Sequence, residues 1–227
     1  MKVNIKYVSY PRTGTIWTEL LIKSYFDKTG FNYDMKGHHD LWHIYPMKDV
    51  GETFALVGAA NFSHLCIYNY RKNFKRVAFS NFYRITSSES GVASDPYDIL
   101  FNIIDTYSQH LCLWFGIENS HKNVVKIQYE SMLEHKEDYF INFLKSIGAK
   151  SKDINIEAIR KSFEENTREK VSQIHKKNQS KKSGNLVSYV EDNKYETKYN
   201  SFLNEYGDWI DDLWSKWKNT NRSGIDE

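Results

Sequence analysis

The sequence predicts an α/β fold, a single domain built on a mainly parallel β-sheet with helices on both faces. Three observations carry that prediction. The chain has 227 residues, large for one domain and short for two. Along it, β-prone runs alternate with runs of helical periodicity, the pattern of parallel strands joined by crossover helices. By Phe26 the chain has already read strand, turn, helix.

Taken in order, Val3 to Ser9 alternates and is rich in β-formers, so it is a strand, and Pro11 to Thr15 is a tight turn. From Trp17 to Phe26 the apolar residues Trp17, Leu20, Leu21 and Tyr25 recur at helical spacing. Thr29 to Gly51, punctuated by Gly30, Gly37, Pro46 and Gly51, reads as irregular loop, and Phe54 to Gly58 as a short strand or more of that loop. Leu65 to Tyr70 is the second clear strand. Lys75 to Tyr83 is a helix, with Val77, Ala78, Phe82 and Tyr83 apolar. Asp95-Pro96 opens a long helix, with proline at its first position, that runs to about Asn119. Val124 to Gln128 is a third strand, and Asp138 to Ile147 an amphipathic helix closed by Gly148. Ile156 to Lys170 is helical. Gln173 to Asn185 is polar and lysine-rich and reads either as a disordered linker or as a loop that a bound anion would order. Tyr195 to Trp217 is a last helix, with Tyr199, Phe202, Leu203, Tyr206, Trp209, Ile210, Leu213 and Trp217 on one broad face. The domain is expected to span residues 1–218, with 219–227 a frayed tail.

Composition narrows the function. Hydrophobic residues at 40% and charged residues at 26% are those of an ordinary globular protein. A net charge of +2 argues against a nucleic-acid binder, so any anion site has to come from a local cluster. Cys66 and Cys112 lie in apolar segments and read as reduced core thiols. The first residues lack the apolar core of a signal peptide, and no run approaches the ~20 apolar residues of a membrane span. The expectation is a cytoplasmic protein without a membrane span; the oligomeric state is left open.

The sharpest local feature is Tyr10-Pro11-Arg12-Thr13-Gly14-Thr15-Ile16-Trp17. A glycine-containing turn between a strand and a helix aims backbone N–H groups at one point, and the helix dipole adds to their field. Thr13 and Thr15 supply hydroxyls and Arg12 a permanent cation, a combination suited to phosphate or sulfate. The nucleoside-triphosphatase P-loop is excluded in its usual form, because no Gly-Lys-Ser/Thr follows.

These residues resemble the 5′-phosphosulfate loop of the sulfotransferase family, whose pattern is roughly Tyr/Phe-Pro-Lys/Arg-Ser/Thr-Gly-Thr/Asn-Thr-Trp. The turn is P-loop-like, and the resemblance implies 3′-phosphoadenosine 5′-phosphosulfate (PAPS) as co-substrate, held by Arg12, Thr13, Gly14, Thr15, Ile16 and Trp17. A second segment, Lys72-Asn73-Phe74-Lys75-Arg76-Val77-Ala78-Phe79-Ser80, resembles the family's Arg-Asp-Pro-Arg-Asp-Val-Ala-Val-Ser, whose Arg and Ser hold the nucleotide's 3′-phosphate. Ser80 fits the serine; Arg71 and Lys72 both fit the cation. Val124 to Leu133, with Tyr129-Glu130, is similar to the strand ending in Tyr-Glu-Asp-Leu, and Phe143 to Gly148 to the Phe-Leu-Gly helix end, with Glu130 expected to be a structural hydrogen-bonder. Lys182-Ser183-Gly184 resembles a late Arg-Lys-Gly loop that reaches over the 3′-phosphate.

Sulfuryl transfer to a hydroxyl requires the acceptor's proton to leave as its oxygen attacks, a task for a group titrating near neutrality. Gly37-His38-His39-Asp40 is similar to a His-Asp segment that some members carry at this point, which favours His39 as general base, with His38 second. His110, inside the long helix, reads as structural. No metal ligand set is spaced in the sequence, and none is expected to be needed, since a sulfuryl group carries less charge than a phosphoryl group. The implied function is sulfuryl transfer from PAPS to a hydroxyl or amine of an unidentified soluble acceptor. The competing readings are a nucleotide-dependent kinase with a degenerate P-loop and a non-catalytic nucleotide-binding domain.

Overall fold

The structure, a computed structural model, describes residues 3–10, 12–37, 65–86, 95–118, 123–167, 169–171 and 192–220. The expected α/β class is what it shows: a four-stranded, all-parallel sheet flanked by helices. The elements are β1 (Val3–Ser9), α1 (Thr15–Thr29), β2 (Tyr33–Gly37), β3 (Leu65–Tyr70), α2 (Phe74–Thr86), α3 (Pro96–Glu118), β4 (Val124–Gln128), α4 (Tyr129–Ser146), α5 (Ile156–Glu165) and α6 (Asp192–Thr220). By contacts the chain divides into two compact units, residues 1–72 with 113–166 and residues 73–112 with 167–227.

The first unit holds the sheet, in the order β2-β1-β3-β4. In register, Ser9 lies opposite Asn69 and Tyr70 opposite Gln128. Strand β3 is central and buried from Cys66 to Asn69, as a strand covered on both faces must be. Tyr7 lies beside Thr18 of α1, and burial pushes its phenol pKa well above the ordinary value. On the opposite face Tyr68 stacks on Trp114 and Tyr70 meets Phe115 edge-on, both from the last turns of α3. Helix α1 ends where the sequence supplies Gly30. That residue takes φ 66°, its N–H reaches Asp27, and the Phe31 N–H reaches the Phe26 carbonyl at 2.9 Å while the two rings touch. Helix α5 is capped by Asn155, whose side chain accepts from the Ala158 N–H at 3.0 Å.

Three readings differ from expectation by more than three residues. Residues 33–37 form β2 rather than loop, because they pair in parallel with β1; within Tyr33–Met35 only Met35 is buried, so this edge strand carries no apolar alternation to read. Helix α4 starts at Tyr129, directly after β4, and a break at Lys136 (φ 29°, ψ −97°) separates it from the helical run expected from Asp138. Helix α5 stops at Glu165, where Asn166 leaves helical geometry and its amide donates to the Ser162 carbonyl.

The second unit is an aromatic helical assembly. Phe74 of α2 stacks on Trp214 of α6 at 4.2 Å between centroids, and Phe79 packs among Tyr195, Tyr199 and Phe202. Arg76 pairs with both oxygens of Glu196 at 2.8 Å and lies 3.8 Å over the Tyr199 ring. Of the face expected on the last helix, Tyr199, Phe202, Tyr206 and Ile210 are buried; Leu203, Trp209, Leu213 and Trp217 are half-buried. His110 is fully buried in α3, and desolvation lowers its pKa to about 3, so it is neutral at physiological pH. Among the described residues no helix is long and apolar enough to cross a membrane.

Candidate functional site

In an open parallel sheet the ligand crevice lies outside the carboxyl ends of the strands, where the strand order reverses. Here β1 has β2 on one side and β3 on the other, so that point lies between β1 and β3. Three chemistry-bearing segments begin at this edge: Tyr10 to Gly14 after β1, Arg71-Lys72 after β3, and Tyr129-Glu130 after β4.

The turn after β1 is built from two left-handed residues around a buried one. Arg12 takes φ 70° and Gly14 φ 84°. Left-handed backbone at a non-glycine residue costs about 1–2 kcal/mol, and such strain gathers at functional sites. Thr13 is buried between them, and its hydroxyl donates to the Tyr10 carbonyl at 2.7 Å. The Thr15 hydroxyl lies 2.6 Å from the Ser9 hydroxyl. Both hydroxyls are thus engaged within the fold. The N–H groups at the start of α1 are placed differently. The first bond of the helical ladder runs from the Thr18 N–H to the Gly14 carbonyl, so Thr15, Ile16 and Trp17 precede it. Gly14, at the N-cap, has no side chain to cap them, and the first turn carries no acidic residue. This leaves the positive end of the α1 dipole for an external anion.

Packing explains why residue 14 has to be glycine. A β-carbon there would lie 2.1 Å from two ring atoms of Tyr129. The same ring stands edge-on to Trp17, at 5.6 Å between centroids, and carries the Arg71 guanidinium 4.7 Å above it. Arg71 also makes a 3.3 Å ion pair with Glu130 and a long 3.5 Å contact to the Arg12 carbonyl. Glu130 in turn accepts from the Lys72 N–H at 2.9 Å, the hydrogen-bonding role expected of it. Arg71 is largely shielded and Lys72 is exposed.

Arg12, Thr13, Gly14, Thr15 and Arg71 therefore form one connected group. Ile16 is exposed, whereas Trp17 is buried, with its indole N–H donating to the Asn166 carbonyl at 2.7 Å. Ser80 lies in the second unit, on the buried face of α2. His38, His39, Asp40, Lys182, Ser183 and Gly184 lie outside the described residues.

Sequence reasoning missed two contributors. Tyr129 was read only as part of a fold marker, and nothing local shows that its ring meets Gly14. Asn69 lies in the Leu65 to Tyr70 run, whose pattern marks only a strand. It is fully buried, and its amide nitrogen donates to the Thr13 carbonyl at 2.9 Å. A lone amide in the run Leu65-Cys66-Ile67-Tyr68-Asn69-Tyr70 was the available signal, since it breaks an otherwise apolar and aromatic strand.

No family model matches the sequence, and no curated protein matches it. Solved structures do. The crystal structure of mouse sulfotransferase SULT7A1 complexed with PAP matches with a TM-score of 0.52 and 18% sequence identity. The match covers 75% of this chain and 66% of that one, so the chain spans just under two thirds of that protein's length. At this identity the likeness is one of fold.

Proposed function

We propose that this chain is a sulfotransferase that moves a sulfuryl group from PAPS to a hydroxyl or amine of a soluble acceptor. The observation that carries the reading is the turn from Arg12 to Trp17: a strained, uncapped helix start with an arginine in it, at the strand-order reversal of a parallel sheet. It agrees with the family pattern of the same residues and with a fold neighbour whose structure holds PAP, the desulfated form of the donor.

In this reading the acceptor oxygen attacks sulfur, the bond from sulfur to the 5′-phosphate oxygen breaks, and adenosine 3′,5′-bisphosphate leaves. The N–H groups of Thr15, Ile16 and Trp17, with the Arg12 guanidinium, meet the charge that grows on the bridging and sulfuryl oxygens. His39 takes the acceptor's proton, with His38 the alternative. Arg71 or Lys72, together with Ser80 and Lys182 to Gly184, holds the 3′-phosphate. Of the two cations, Arg71 is held beside the Arg12 turn by Tyr129 and Glu130, and Lys72 is exposed.

The test is nucleotide binding followed by turnover. Adenosine 3′,5′-bisphosphate should bind and raise the melting temperature by mass action. Adenosine 5′-monophosphate, which lacks the 3′-phosphate, should bind much more weakly. Equal binding of the two removes the 3′-phosphate assignment, and failure of radiolabelled donor to label any acceptor in a broad screen removes the activity.

A further inference from the structure

We infer that Asn69 is a positioning residue for the anion-binding turn, holding Thr13 so that the residues on either side of it stay left-handed. The inference deepens the functional reading above and rests on it in taking that turn as the anion site.

Asn69 is the penultimate residue of β3 and lies opposite Ser9, the last residue of β1. It reaches the turn twice. Its amide nitrogen donates to the Thr13 carbonyl at 2.9 Å, and its own main-chain carbonyl lies 3.5 Å from the Thr13 hydroxyl. With the Thr13 hydroxyl also donating to Tyr10, the peptide between the two left-handed residues is pinned from both sides. The N–H groups that would meet an anion follow directly in sequence, so their direction is set by that peptide.

The cost of this arrangement points the same way. The Asn69 side-chain oxygen is buried and accepts nothing among the described residues. An unsatisfied buried carbonyl is destabilising, and a leucine or valine would fill a central strand more cheaply. Turning the amide over gives no relief, because its oxygen would then face the Thr13 carbonyl. An asparagine here weakens the strand and contributes one productive contact, which goes to the turn. Breaches of local pattern of this kind are where function overrides stability.

The test separates positioning from structural support. Asn69→Leu removes the donor and the unsatisfied acceptor together. The unsatisfied Asn69 oxygen disappears while the Thr13 carbonyl loses its donor, so the melting temperature should stay near wild type. In the unliganded protein the amides of residues 12–17 should exchange faster, and adenosine 3′,5′-bisphosphate should bind about tenfold more weakly, the usual effect of one lost hydrogen bond. Asn69→Asp keeps the shape and is the second variant. Near pH 8 its carboxylate opposes the Thr13 carbonyl, and exchange and binding should be impaired. Towards pH 5 a protonated carboxyl regains an O–H donor, and both should return towards wild type measured at the same pH. Exchange of residues 12–17 that is unchanged in Asn69→Leu, or Asn69→Asp behaviour with no pH-dependent recovery, overturns the inference. If wild type fails to bind the bisphosphate, the functional reading falls, and exchange still decides whether Asn69 positions the turn. Should Asn69→Leu not fold, the Asn69→Asp pH profile decides alone.

Discussion

Replacing Gly14 with alanine adds one methyl group at the most constrained point of the turn. Two separable costs follow. Residue 14 holds φ 84°, and an L-residue there costs about 1–2 kcal/mol. The new β-carbon would also sit 2.1 Å from two atoms of the Tyr129 ring and 3.0 Å from a third. That ring is buried, wedged against Trp17, and loaded with Arg71, so it has little room to retreat. Overpacking of this kind typically costs about 1–3 kcal/mol. Together the two reach roughly 2–5 kcal/mol, or on the order of 10 °C in melting temperature for a chain of this size. Gly30→Ala is the control. It also holds a left-handed conformation, φ 66°, but a β-carbon there meets nothing within 4 Å. It should lose only the backbone cost, about 1–2 kcal/mol. The assay is thermal unfolding followed by circular dichroism, repeated for Gly14→Ala in a Tyr129→Leu background, where the steric part of the cost should vanish. A Gly14→Ala protein that melts within about 1–2 °C of Gly30→Ala, less than 1 kcal/mol at this size, refutes the packing argument.

Other outcomes follow from the same physics. His110 has a native pKa of about 3 against about 6.5 in the unfolded chain, so below pH 6.5 the unfolded state takes up a proton that the native state does not. Stability should therefore fall as pH drops from about 6.5 towards 3, by on the order of 2 kcal/mol at pH 5, and His110→Gln should flatten that slope in denaturant titrations at stepped pH. His39→Ala should lower turnover ~10²–10⁴-fold with nucleotide affinity nearly unchanged, while Arg12→Ala should damage both; if His38→Ala is the inactive variant instead, the base is His38, and full turnover in both places it elsewhere. Activity should survive exhaustive chelation, and a loss restored by Mg²⁺ would favour phosphoryl transfer.

Three of the four strands and the turn were legible because their signals are local. Val3 to Ser9, Leu65 to Tyr70 and Val124 to Gln128 declare themselves by β-prone side chains, and each strand occupies the span read for it. The Arg12 to Trp17 turn was visible because glycine, hydroxyls and a cation crowd into a few residues. Strand β2 was not, because an edge strand with one buried side chain among its first three has no pattern, and its partner lies in another segment. The contacts of Tyr129 with Gly14 and of Asn69 with Thr13 were hidden for the same reason. They join positions far apart in the chain, and they exist only once the order β2-β1-β3-β4 is fixed. Adjacent cations at 71 and 72 look alike in the sequence; that the Tyr129 ring and Glu130 hold Arg71 while Lys72 is exposed is visible only in the fold.

No contiguous piece of this chain contains the turn and its supports. Arg71 reaches Arg12 across 59 residues, and Glu130 reaches Lys72 across 58. Each of the three segments begins where a strand ends, so strand pairing and site assembly are one event. In the proposed function an anion held at this junction would act as a clasp on β1, β3 and β4 together, and an opening that parts those strands would work against its binding. Its protective effect should extend to the amides of Val125 and Ile127, deep in β4, as well as to the turn that it touches. A cut in the linking segments should leave binding intact while the pieces stay paired, and abolish it once they separate.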